Sequence, residues 1–131
     1  MVFRKKILEE FEFDEHFSGY ARYEDVDFTY TVGKKYRMFV LEDAGVKHLN
    51  KPEDVNFSFS LGRMEVLNRL YFVRKNAELS ILLCYWALSS ILTWNALRGI
   101  SNLDRRYLNR ARGNIAGLCH SLLLNHSIIK R

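Results

Sequence analysis

Apolar residues near the start of the chain recur at helical intervals. Phe3, Ile7, Leu8 and Phe11 fall on one side, with Arg4, Lys5, Lys6, Glu9 and Glu10 on the other, which predicts a short amphipathic helix over 3–11. The stretch FDEHFSGYARYEDVDF at 13–28 is aromatic and acidic and too irregular for a strand. It reads as a loop entering a helix near Glu24, which stops near Gly33 at the basic turn Gly33-Lys34-Lys35. YRMFVLED at 36–43 is rich in β-formers, and AGVKHLN follows at 44–50, so two short strands are expected there.

From Ser60 onward the pattern turns helical throughout. Leu61, Met64, Leu67, Asn68, Tyr71 and Phe72 form a stripe with Arg63, Arg69 and Arg74 around it. Residues 79–97 then run 19 positions without a charge, bounded by Arg74, Lys75 and Glu78 before and Arg98 after. The last segment, 103–129, alternates Leu108, Ile115, Leu118, Leu122 and Leu123 with Arg105, Arg106, Arg110 and Arg112, the signature of an amphipathic helix. Gly113 and Gly117 weaken it or admit a close neighbour. The expected fold class is therefore α/β: helix, loop, helix and short strand pair in a first region, 1–58, then a mainly helical second region, 59–131.

Charge separates the same two regions. Residues 1–56 hold 9 Lys/Arg against 12 Asp/Glu, whereas 57–131 hold 11 against 3, so the excess positive charge belongs to the second half. Its basic residues are interleaved with aliphatic ones and match no nucleic-acid-binding motif, which argues against DNA or RNA as partner. With 48% hydrophobic residues and a single proline, the chain has apolar surface enough for a core and no low-complexity segment. Cys84 and Cys119 match no metal or redox spacing and read as core cysteines in a reducing compartment. The start MVFRKKILEEFEF turns acidic before any apolar run of signal length, so a cytoplasmic location is expected.

Three segments of the first region carry a resemblance in their order and spacing: Phe13-Asp14-Glu15-His16-Phe17, Glu24-Asp25-Val26-Asp27-Phe28 and Val46-Lys47-His48. Together with RLYFVRKN at 69–76, they resemble the C-terminal part of the catalytic domain of family 2 glycosyltransferases, enzymes of the GT-A fold that move a sugar from a nucleotide donor to an acceptor. The resemblance covers roughly residues 1–76. It implies a nucleotide-sugar donor, a glycan or lipid-linked acceptor, and a divalent metal, magnesium or manganese, in the complete enzyme. One departure is Thr31, where many members carry an arginine shortly after the acidic segment.

An acceptor hydroxyl is a poor nucleophile until a positioned carboxylate takes its proton during attack on the anomeric carbon. The resemblance implies Asp25 as that base, with Glu24 beside it as a contact to the acceptor. The alternative is that Glu24, Asp25 and Asp27 complement the positive end of a helix, where acids are common. Asp25 and Asp27 are poorly placed to chelate one ion, because alternate residues on a helix point about 200° apart. Tyr20 and Tyr23 are candidates to stack on a sugar ring, as flat apolar faces with a polar tip do, or are core and loop residues. His48 is either a ligand to the donor's metal or a hydrogen-bonded structural residue.

The run 79–97 has three readings: a transmembrane span, a helix lying at a membrane surface or packing in a bundle, and a core helix. Tyr85, Trp86 and Trp94 sit inside the run instead of in belts at its ends, and Ser89, Ser90, Thr93 and Asn95 dilute it, which favours the second. The expectation is a glycosyltransferase segment docking at the inner face of a membrane and acting with a separate N-terminal half chain that binds the donor. The alternative is a non-catalytic membrane-associated interaction module or decayed fragment.

Overall fold

The structure, a computed structural model, describes residues 2–17, 23–40, 45 and 55–129, of which 56 and 124–129 are described in backbone only. Five helices follow one another: α1 (Lys5–Glu10), α2 (Glu24–Gly33), α3 (Val55–Lys75), α4 (Ile81–Ser101) and α5 (Arg105–Ile129). The chain divides into two compact units, Met1–Pro52 and Glu53–Arg131.

The α/β class expected from the sequence is overturned, since every regular element among the described residues is a helix. Residues 37–40, the described part of the first expected strand beyond Tyr36, are not in a ladder, and Met38, Phe39 and Val40 are exposed. β-propensity measures fit to a pleated, half-buried surface, and it produces a strand only when a neighbouring strand takes up the backbone groups. The second expected strand lies outside the described residues except for Gly45.

In the first unit, Ile7, Phe28 and Val32 form the core, with Phe3, Phe11 and Tyr36 packed against it. α1 is too short to persist alone. It is held because Ile7 is buried and because Phe3 meets the Phe28 ring edge-on at 5.0 Å between centroids. α2 ends where the amides of Lys35 and Tyr36 turn back to the carbonyl of Val32, at 3.1 and 2.8 Å.

The second unit is three long helices. α3 ends on Asn76, which is buried and donates its side-chain amide to the Phe72 carbonyl at 2.9 Å. Ser80 caps α4 by accepting from the Leu83 amide. A tight turn joins α4 to α5: Leu103 takes a left-handed φ of 51°, and the Asp104 amide reaches the Gly99 carbonyl at 3.1 Å. Asp104 then opens α5, accepting the Arg106 amide at 2.9 Å and pairing with its guanidinium at 2.8 Å. These hydrogen bonds from Arg106 hold the Asp104 carboxyl below the usual range.

Ser58, Gly62, Val66 and Leu70 form a buried row of α3 spaced by four, of which Gly62 and Val66 meet α5. This shifts the stripe expected from the sequence. Leu61 and Phe72 are buried, whereas Met64, Leu67, Asn68 and Tyr71 are only half-buried. The reason is close approach between small residues. A Cβ at Gly62 would overlap the Arg110 carbonyl, and one at Gly113 would overlap the Phe59 carbonyl. Gly117 lies against Val66 and the Arg63 carbonyl in the same way. Val66, Leu70, Cys84 and Leu88 fill the centre. A buried polar chain crosses all three helices: Asn95 on α4 donates to Asn114 on α5 at 3.0 Å, and Asn114 donates to the Gly62 carbonyl on α3 at 2.9 Å. Cys84 is buried as expected, and burial pushes its thiol up, but Cys119 is exposed and not a core residue.

Among the described residues no helix is long and apolar enough to cross a membrane, so the spanning reading of 79–97 falls. Instead α4 packs Cys84, Leu88, Asn95 and Gly99 inward and leaves its opposite face exposed.

Candidate functional site

The acidic segment begins α2. Tyr23 stands at the N-cap with a left-handed φ of 83° and no side-chain cap, so the first turn relies on three acids, Glu24, Asp25 and Asp27, to complement its free amides. A bulky residue at positive φ is strained, a condition found most often where the surrounding structure has a reason to impose it.

The three carboxylates diverge. Asp27 is 3% exposed, Glu24 is half-buried and Asp25 is exposed, so the helix turns one acid inward and presents another outward. Asp25 Oδ1 accepts the Val26 amide at 2.9 Å, which fixes one oxygen and leaves the carboxylate at the surface. The Thr29 hydroxyl donates to the Asp25 carbonyl at 2.6 Å, tightening the same turn. Thr31 is half-buried near the end of the helix.

The two described motif segments meet through their aromatic rings. Phe13 of FDEHF stacks on Phe28 of EDVDF with centroids 4.1 Å apart and planes 13° from parallel. Phe28 is 2% exposed and Phe17 is also buried, so both segments are anchored by their phenylalanines while Asp25 stays outside. Between them, Asp14 accepts the His16 amide at 2.9 Å, closing a local turn.

Of the other residues expected at a site, Tyr23 is half-buried at the cap, and Tyr20 and His48 lie outside the described residues. The metal that the resemblance implies for the complete enzyme has its one candidate ligand here, His48, outside the described residues. Asp25 and Asp27 part to opposite environments, and no cluster of three or more His, Cys, Asp or Glu able to hold an ion occurs among the described residues.

A polar cluster went unnoticed in the sequence. Glu10, at the end of α1, accepts hydrogen bonds from the Lys35 ammonium and from Tyr36 Oη at 2.6 Å. These bonds, that of Lys35 first, hold the Glu10 carboxyl below the usual carboxylate range, and the bond to Glu10 raises the Lys35 ammonium and the Tyr36 phenol. Nothing in the local pattern signals it, because its members are 25 and 26 residues apart.

Comparison of the chain with protein-family models, with characterised proteins and with solved structures gives no match.

Proposed function

We propose that the first unit is the acceptor-side part of a family 2 glycosyltransferase. In this reading Asp25 takes the proton of an acceptor hydroxyl as its oxygen attacks the anomeric carbon of a nucleotide-linked sugar, and the nucleoside diphosphate leaves. Glu24 contacts the acceptor, and Tyr23 contributes to binding it. Nucleotide-sugar binding, with the magnesium or manganese it uses, is assigned to a separate polypeptide segment, and the work is placed at the cytoplasmic side of a membrane. What carries the reading is the divergence of the acids: in a segment that resembles the family's acidic motif, the residue matching the base is the one exposed at the start of α2, while its neighbour Asp27 is buried.

A second reading, a non-catalytic membrane-associated module, is favoured by the uncovered apolar face of α4. One experiment separates the two. Sugar transfer from a panel of nucleotide sugars is measured with the chain alone and with the polypeptide encoded immediately upstream. The first reading requires transfer in the pair, and a fall of about 10²- to 10⁴-fold on Asp25→Asn with helix content retained. Transfer that survives Asp25→Asn within a few-fold refutes the assignment of the base. No transfer in any combination leaves the second reading.

A further inference from the structure

α4 is apolar on both of its faces. Inward it packs on α3 and α5; outward, Leu82, Trp86, Thr93, Leu97 and Ile100 follow one another at helical spacing, and Leu83 and Trp94 flank them. Leu82, Trp86, Trp94, Leu97 and Ile100 are between 57% and 78% exposed. The outer row is about 27 Å long at the helical rise. A helix apolar all round is normally covered on every side. No described residue of the second unit covers this one.

The polar residues along that face carry no hydroxyl donor seeking a partner. Ser89 donates to the Tyr85 carbonyl at 2.9 Å, Ser90 to the Trp86 carbonyl at 3.1 Å, and Thr93 to the Ser89 carbonyl at 2.9 Å. Such internal bonds let a helix face leave water without stranding a donor. At the α4–α5 turn the row runs on into Leu103, which is 88% exposed, beside exposed Arg98, Arg105 and Arg106. Exposed Lys75 precedes its other end in the chain, while Arg74 donates to the Ser121 hydroxyl of α5 at 3.0 Å.

We propose that the outer face of α4 is a membrane-docking surface, lying in the plane of an anionic phospholipid leaflet. Charge selects this occupant. Residues 57–131 carry 11 Lys/Arg against 3 Asp/Glu, so a second copy of the chain would bring like charge to like, whereas anionic headgroups complement the basic residues at the ends of the row. Seating Trp86, Trp94 and Leu97 at the boundary of headgroups and acyl chains removes their apolar area from water, and the basic ends remain among the headgroups. The proposal stands whether or not Asp25 is a catalytic base.

Trp86 and Trp94 are the only tryptophans in the chain, so their fluorescence reports on this face alone. The full chain is mixed with vesicles of phosphatidylglycerol and phosphatidylcholine, and separately with phosphatidylcholine alone. With the anionic vesicles, emission moves to the blue, brominated acyl chains quench it, and the protein sediments with the lipid; added salt weakens all three effects. Replacing Trp94 and Leu97 together by serine, with helix content unchanged by circular dichroism, lowers vesicle binding by about tenfold or more. Emission that stays unchanged with anionic vesicles overturns the proposal. So does vesicle binding that survives the double substitution, because another surface then does the docking. Emission that is already blue without lipid and reddens as a sedimenting dimer dissociates also overturns it, and assigns the face to a second copy.

Discussion

Replacing Gly113 by alanine sets helix propensity against packing. Residue 113 lies in the interior of α5, where glycine to alanine alone would stabilise by about 1 kcal/mol. The added Cβ would overlap the Phe59 carbonyl oxygen, however, and would lie 2.9 Å from the Arg63 nitrogen and 3.0 Å from the Phe59 carbonyl carbon. All three are backbone atoms of α3, so no side chain can swing aside. Relief requires α3 and α5 to part by about an ångström, and a gap of that order forfeits roughly a quarter to a half of each contact's dispersion energy. Val66 and Leu70 sit along the same row and lose contact with it. Overpacking of this kind costs typically 1–3 kcal/mol and sometimes more, so the net effect is a loss of up to about 2 kcal/mol, with a lower urea midpoint and an unchanged slope. Gly45→Ala, where a Cβ would meet nothing within 4 Å, serves as the control. A Gly113→Ala protein more stable than the parent would refute the close approach of the two helices.

The buried amide chain gives a second test: Asn114→Ala strands the Asn95 amide, takes a second donor from the helical Gly62 carbonyl and should cost about 1–3 kcal/mol, while adding Asn95→Ala should cost less than it does alone. Strict additivity in urea unfolding would disprove the coupling. For the acids of α2, Asp25→Asn should change stability by less than about 0.5 kcal/mol and Asp27→Ala should cost about 1–3 kcal/mol, the difference following from their opposite exposure. The Glu10 cluster predicts a pH dependence. Because the folded Glu10 carboxyl lies below its ordinary value of 4.5, its contribution is complete above that pH and is lost as pH falls through the folded value. Because the Tyr36 phenol is raised above 10.0, its contribution is complete below that pH and is lost as pH rises further. The stability difference between the parent and Glu10→Gln should therefore be largest between these limits and vanish in acid; a gap that persists at low pH would rule out the carboxylate as its source.

Local chemistry was sufficient for the helices. Three acids before Phe28 and the glycine at 33 mark both ends of α2, and the charge-free run between Glu78 and Arg98 predicts the body of α4, because capping, charge at helix ends and apolar periodicity act within a few residues along the chain. The stacking of Phe13 of FDEHF on Phe28 of EDVDF was not legible in this way.

Only the tertiary structure decided which side of each helix is covered. The buried row of α3 runs through Ser58 and Gly62, residues that a search for large apolar side chains passes over, and at Gly62 a close helix crossing selects for small volume and not for hydrophobicity. The separation of Asp25 from Asp27 likewise depends on where the Phe28 core lies, and the exposure of the α4 row depends on the absence of a fourth helix among the described residues of the second unit. β-formers at 37–40 did not become a strand, since a strand exists only in a ladder with another. Sequence thus determined what can form through neighbours in the chain, whereas partners distant in the chain determined what is buried, what is paired and what is left facing outward.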